Sequence, residues 1–367
     1  MEDGMRLLRS VVTRLLLLCA MVAAGAAAGA GAANAAVPDV WGFAYVNTNS
    51  GVPNLSYQAG SWTSGTVTVT PGVPGEYFVR FPQIGIPKGG IAHVTAISQS
   101  AEWCQIEKWG QVGTDEIVAV RCYRYGGGPA KALFSIVFAS SSGALPAGTQ
   151  AFGYVFWDGS SVASDYNSSL APNSVFHNAT GDWTVWMPGL GSSTAAGNIQ
   201  VTAVDSGSPA RCKVGAWSPS PSGQKIQVLC HDATNVPRDT GWTLTYQRER
   251  AITGAFAPPK LFAYTFDNTP ANPGPYAPVP PGVNFNYPGA INKIQSAGTG
   301  LRLVTFPAVG ALPNDVQVTA FGPGPEFCNL LTLWTTSGSD VYVRDVACYN
   351  GTTRVNQASF VTYTSVY

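Results

Sequence analysis

One eleven-residue block occurs three times without a gap: Gly75-Glu-Tyr-Phe-Val-Arg-Phe-Pro-Gln-Ile-Gly85, Gly181-Asp-Trp-Thr-Val-Trp-Met-Pro-Gly-Leu-Gly191 and Gly300-Leu-Arg-Leu-Val-Thr-Phe-Pro-Ala-Val-Gly310. Each block is followed by Val-Thr-Ala, at Val94 to Ala96, Val201 to Ala203 and Val318 to Ala320. A cysteine pair comes next: Cys104 and Cys122, Cys212 and Cys230, Cys328 and Cys348. Beyond each second cysteine stands an aromatic (Phe134, Trp242, Phe360), and each copy opens on Phe43 to Tyr45, Phe152 to Tyr154 or Phe262 to Tyr264. A period of about 110 residues is a usual domain size, so each copy is expected to be a domain and not one turn of a solenoid.

The pattern inside the block fixes the element type. Tyr77, Val79 and Phe81, and likewise Trp183, Val185 and Met187, are apolar at period two, the mark of a half-buried strand. The proline that follows has no amide to donate and ends it. Arg302 occupies the position of Tyr77 and Trp183, so the third strand is expected to begin one pair later. The 41 glycines and 27 prolines make up about a fifth of the chain, which disfavours helix because both residues are costly in helix interiors. The expected fold is all-β: three tandem antiparallel β-sandwich domains, at 36–147, 148–257 and 258–367, with one hairpin disulfide each. The joints fall at 140–148 and 256–259.

Pairing Cys104 with Cys122 in antiparallel register sets Ile106 opposite Val120 and centres the turn near Gly113. The same sum rule sets Val214 opposite Val228 around Pro221, and Leu330 opposite Val346 around Gly338. All three turns land on turn formers, which supports one cross-strand disulfide per copy. Metal ligation and redox chemistry fit poorly. There is no C-x-x-C, and the three histidines (His93, His177, His231) do not accompany the cysteines in every copy. No cofactor or metal is expected.

Residues 1–35 combine Arg6, Arg9 and Arg14 with an uncharged run ending in Ala33-Asn34-Ala35-Ala36, the layout of an export signal cleaved after Ala35. Its removal leaves 17 basic and 18 acidic residues and six cysteines, consistent with a secreted protein of an oxidising compartment that keeps no stable membrane insertion. Near-zero charge without basic runs argues against a nucleic-acid partner.

No G-x-S-x-G motif is present. Glu102, Glu107, Asp115 and Glu116, and Asp158, Asp165 and Asp182, could form carboxylate pairs of glycosidase type, but no acid with an aromatic neighbour recurs in all copies. They read as solvated turn residues. Aromatic residues are abundant instead. Trp109, Trp217 and Trp334 recur after each first cysteine and are expected to pack over the disulfide or hairpin. Trp186 alternates with the inward Val185 and Met187, so it points outward and is the leading stacking platform for a sugar or partner; Trp157 and Trp62 are secondary candidates. The third copy carries an insertion, Pro270 to Pro288, whose seven prolines favour a polyproline II segment or a stiff surface loop. Asn167-Ser-Ser and Asn178-Ala-Thr match the glycosylation pattern.

The block G-x-Y-x-V-x-F-P-x-L-G, the Q-V-T-A that follows it and the cysteine pair about 18 apart resemble a domain of secreted, mostly uncharacterised proteins of high-GC Gram-positive bacteria, often found in tandem. The likeness covers 37–367. It implies an extracellular role and transfers no catalytic residue or ligand. The expected function is therefore non-catalytic, multivalent recognition of a glycan or cell-wall polymer. An extracellular structural or protein–protein assembly module and a hydrolase with an unrecognised site are the alternatives.

Overall fold

The period-two blocks become strands at Glu76–Phe81, Asp182–Pro188 and Leu301–Phe306. In the first two, Val79, Phe81, Val185 and Met187 are fully buried while the residues between them face outward or sideways. The third strand corrects the expectation for Arg302, because it starts at Leu301 and includes that residue. Arg302 is buried and donates from Nε to Asp267 Oδ2 at 2.7 Å, while the Tyr276 hydroxyl donates to the other oxygen of Asp267. A buried charge is tolerated when it is paired and hydrogen-bonded, so the apolar pattern breaks while the strand does not.

The computed structural model describes residues 39–367, apart from residues 144, 146–148 and 255–259. The expected export signal at 1–35, the joint at 256–259 and part of the joint at 140–148 lie outside the described residues. The fold is all-β, with no α-helix among the described residues and two single-turn 3-10 helices, Leu55–Tyr57 and Pro281–Val283. Among the described residues no helix is long and apolar enough to cross a membrane.

The strands form three sheets of ten, eight and eight strands, and each sheet draws on two of the three sequence copies. One joins strands of the third copy to strands of the first, from Lys293–Gly298 to Gln58–Gly60. Another joins second to first, from Val162–Asn167 to Thr68–Pro71. The last joins second to third, from Ser174–Ala179 to Asn284–Asn286. At the middle of each sheet lies a parallel contact between matching positions: Ile106 with Val204, Val214 with Phe321, and Leu330 with Ile97. Every other pairing among the described residues is antiparallel.

The hairpin registers agree with the cysteine arithmetic. Ile106 faces Val120, Val214 faces Val228 and Leu330 faces Val346, with cross-strand disulfides between Cα atoms 3.9, 4.1 and 4.0 Å apart. A one-residue shift at Glu107, and another at Gly215, moves the turns half a residue from the expected centres, to Gly113-Thr114 and Pro221-Ser222. A bulge of this kind inserts one unpaired residue and twists the strand.

The three strands at the parallel contacts, Ile91–Ile97, Asn198–Val204 and Asn314–Phe321, are buried on both faces. One face feeds the apolar cores through Ala92, Val94 and Ala96, through Ile199 and Val201, and through Val316 and Val318. The other face is polar and buried: His93 and Thr95, Asn198, Gln200 and Thr202, Asp315, Gln317 and Thr319.

Candidate functional site

The polar faces of these three strands meet one another in a ring. The Thr95 hydroxyl donates to Gln317 Oε1 at 2.9 Å and accepts from the Val318 amide at 2.9 Å. Thr319 repeats this with Gln200 and Val201, at 2.8 and 3.0 Å. Thr202 closes the ring on His93 Nδ1 at 3.1 Å and the Val94 amide at 3.4 Å. The threonine of each Val-Thr-Ala thus satisfies a strand amide of another copy, where no neighbouring strand supplies a carbonyl.

Two further contacts follow the same cycle. The residue after each first cysteine reaches loop backbone in the next copy: Gln105 to Ser208, Lys213 to Gly324, Asn329 to Ser100. The hairpin tryptophans do likewise. Trp109 meets Phe156 at 4.3 Å, Trp217 meets Phe360 at 5.8 Å and Trp334 meets Tyr57 at 5.8 Å. Each is thus in contact with an aromatic ring of another copy, and Trp217 also donates to Gln224 across its own hairpin at 2.8 Å.

Two buried titratable groups sit in this polar centre. His93 is held neutral, its pKa lowered to about 3 by burial, between the hydroxyls of Thr202 and Thr245. Asp315 is raised to about 7 by burial, although Ser135 and Gln317 donate to its carboxylate.

Trp186 lies where the alternation places it, on the outer face of its sheet. Its ring covers Gly223, where a Cβ would come within 2.6 Å of Cη2. It lines an open groove of about 320 Å³ with Phe176, Asn178, Thr184 and Lys225. Phe176 is 57% exposed. Trp157 stacks at 6.4 Å on the buried Trp242 and packs against the second core. Trp62 packs on Phe81 and lies over Gly42 and Gly60. The three tryptophans therefore sit in separate places, and Trp186 borders an open groove.

A cleft of about 720 Å³ lies elsewhere, where the first and second copies meet. Trp109 and Phe156 are its aromatic lining, Val204 is among its apolar lining, and Glu107, Glu116, Lys88 and Lys108 are among its polar lining. For three of the seven acids read as solvated turn residues the structure gives a correction, whereas Asp158 and Asp165 are exposed. Glu107, Asp115 and Glu116 are buried, and burial raises Glu107 and Glu116 to about 7. Glu116 belongs to the inward set that includes Val118 and Val120, so the period-two pattern already marked it as an acid at a core position. The adjacent Gly113 turn masked that signal.

His177 and Asp239 are in contact at 3.0 Å, but both are about half exposed on the surface. Among the described residues no cluster of His, Cys, Asp and Glu could hold a metal ion. Asn167 is buried, its side chain engaged with Asn173, Pro188 and Ser169, whereas Asn178 is exposed. The proline-rich insertion is anchored at two points, with Val283 buried in the second core and Tyr276 bridging to Ile294, while Pro273, Pro275 and Val279 are exposed. Comparison of the chain with protein-family models, with curated proteins and with solved structures yields no match.

Proposed function

We propose that the chain is a secreted, non-catalytic binding protein that recognises a glycan or cell-wall polymer, built from three tandem β-sandwich copies closed into a ring. The Trp186 groove carries the functional reading. An aromatic ring held flat on a sheet face, with an exposed second ring and polar side chains beside it, presents the apolar and hydrogen-bonding surface that a sugar ring stacks on. Arg80 and Thr305 occupy the matching positions of the other copies, so this platform belongs to the second copy alone. Three disulfides and the signal-like first 35 residues support export. The repeated landmarks and the cyclic threonine contacts support three equivalent copies.

Retention of the mature protein on purified cell walls and insoluble polysaccharides tests this reading. The wild type is expected to be retained and Trp186→Ala to be released at least tenfold more readily; no retention, or retention unaffected by Trp186→Ala, would sink it. One feature favours the assembly alternative. Ser174–Ala179, which carries Phe176, is the outermost strand of its sheet and has an open edge to which another chain could add. Capture of protein in place of polysaccharide, lost when the edge is blocked by Val175→Pro, would move the reading there.

A further inference from the structure

At the 720 Å³ cleft the first and second copies depart twice from their own repeat. Val204 lines it where the third copy has Phe321, whose ring packs on Phe266 and Phe360. The second departure concerns Glu116. Its counterpart Gln224 has a filled hydrogen-bonding capacity: the Trp217 indole donates to Oε1 at 2.8 Å, and Nε2 donates to Leu190 and Ser192. In the first copy the Trp109 indole donates instead to the Gly89 carbonyl at 3.0 Å. Glu116 accepts from the Ile86 amide at 3.1 Å through Oε2, and its fully buried Oε1 has no partner.

Charge identifies what is missing. Of the carboxylates around the cleft, Glu107 faces Arg121 at 3.4 Å, Asp205 faces Arg238 at 3.2 Å, and Asp158 is capped by Ser160 and Ser161 in its own turn. Lys88 and Lys108 are exposed and form no ion pair with Glu116. Among these, Glu116 is the buried carboxyl without a cation, and it lines the same cleft as the Trp109 and Phe156 rings. A lone carboxylate and aromatic faces are together the recognition elements for an ammonium group. We propose that this cleft binds an organic ammonium ion, one carrying a single charged amine on a ring or apolar body, with the amine toward Glu116 and the body against Trp109 and Phe156.

The inference is independent of the glycan reading, since Trp186 is no part of the cleft. Burial holds Glu116 near pH 7, so the carboxylate that attracts the amine is fully formed only above that pH. Lys88, Glu107, Lys108, Asp158 and Asp205 also face the cleft; of these Glu107 titrates in the same range and in the same sense.

Titration calorimetry of the full chain at about pH 7.5, with cyclohexylamine against cyclohexanol and glucosamine against glucose, is the test. Each amine is expected to bind at least tenfold more tightly than its neutral congener, with weakening at about pH 5.5. Preference for glucosamine over cyclohexylamine would assign the body to a sugar frame, and the reverse to a hydrocarbon. Glu116→Gln should erase the preference for the amine, and Val204→Phe, which fills the cleft while keeping the carboxylate, should abolish binding. Equal binding of the neutral congeners, no amine binding, or amine binding that survives Val204→Phe would overturn the proposal. None of these results depends on polysaccharide retention.

Discussion

Replacing Thr319 by valine keeps the shape of the side chain and removes one hydroxyl from the ring of threonines. In the native protein that hydroxyl donates to Gln200 Oε1 at 2.8 Å and accepts from the Val201 amide at 3.0 Å. All three residues are buried. The variant leaves a buried amide and a buried amide oxygen without partners, and each such orphan costs about 1–3 kcal/mol. The added methyl group recovers a fraction of this, so the expected loss is about 2–4 kcal/mol, comparable with the loss of one disulfide. Guanidinium denaturation of the oxidised protein should show a lower midpoint with an unchanged slope. Thr95→Val should match it, while Thr202→Val should cost less, because the Val94 amide lies 3.4 Å from Thr202 Oγ1. Thr70→Val on an exposed strand position is the control. If Thr319→Val and Thr70→Val shift the midpoint equally, the threonine ring does not hold the copies together.

Because every sheet draws strands from two copies, the oxidised protein should unfold in one transition seen alike by circular dichroism and tryptophan fluorescence; three separable transitions would show copies that are stable alone. His93 and Asp315 should impose opposite pH slopes. His93 titrates at about 3 folded and about 6.5 unfolded, so its contribution is lost as pH falls below about 6.5. Asp315 titrates at about 7 folded and about 3.9 unfolded, so its contribution is full below about pH 4 and is lost as pH rises through 7. Between about pH 4 and 6.5 each slope reaches about 1.4 kcal/mol per pH unit, and the two cancel. Relative to wild type, His93→Gln should therefore lose stability with rising pH and Asp315→Asn should gain it; stability curves parallel to wild type would rule this out. Finally, Cys212→Ala with Cys230→Ala should cost about 3 kcal/mol, measured by the same denaturation, and an unchanged midpoint would contradict the loop-closure reasoning.

What could be read in the sequence was what repeats locally. Period-two alternation marks a strand within six residues, and the cysteine sums fix hairpin register, so block strands, disulfides and turns were legible. The sheets that run across copies were not, because a parallel contact such as Val204 with Ile106 leaves no local pattern. Val-Thr-Ala was visible as a repeat, but a threonine inside a buried strand gives no sign of whose amide it serves. Arg302 misled because its partner Asp267 lies 35 residues away. Glu116 was legible by phase and discounted by its nearness to a turn. Trp186 was legible because the strand that carries it has one buried and one open face.

The ring places three matching positions side by side, yet the residues at those positions differ, and covalent linkage makes the difference usable. Before the first cysteine stand Trp103, Arg211 and Phe327, and the Arg211 guanidinium lies 4.6 and 4.7 Å from the other two rings. Three identical chains would bring three arginines or three aromatics together there, and only a single chain can set one cation between two different rings. Matching residues also differ at Ile91, Asn198 and Asp315, and at Val204 and Phe321, where the small residue lines a cleft at one junction and the large one packs on Phe266 and Phe360 at another. Exchanging the two tests this division of labour. Val204→Phe should close the cleft at little cost, whereas Phe321→Val empties space beside Phe266 and Phe360 and should destabilise by about 2–4 kcal/mol. Equal costs, measured by guanidinium midpoint, would mean that the two junctions are packed alike and that the cleft owes nothing to the difference between the copies.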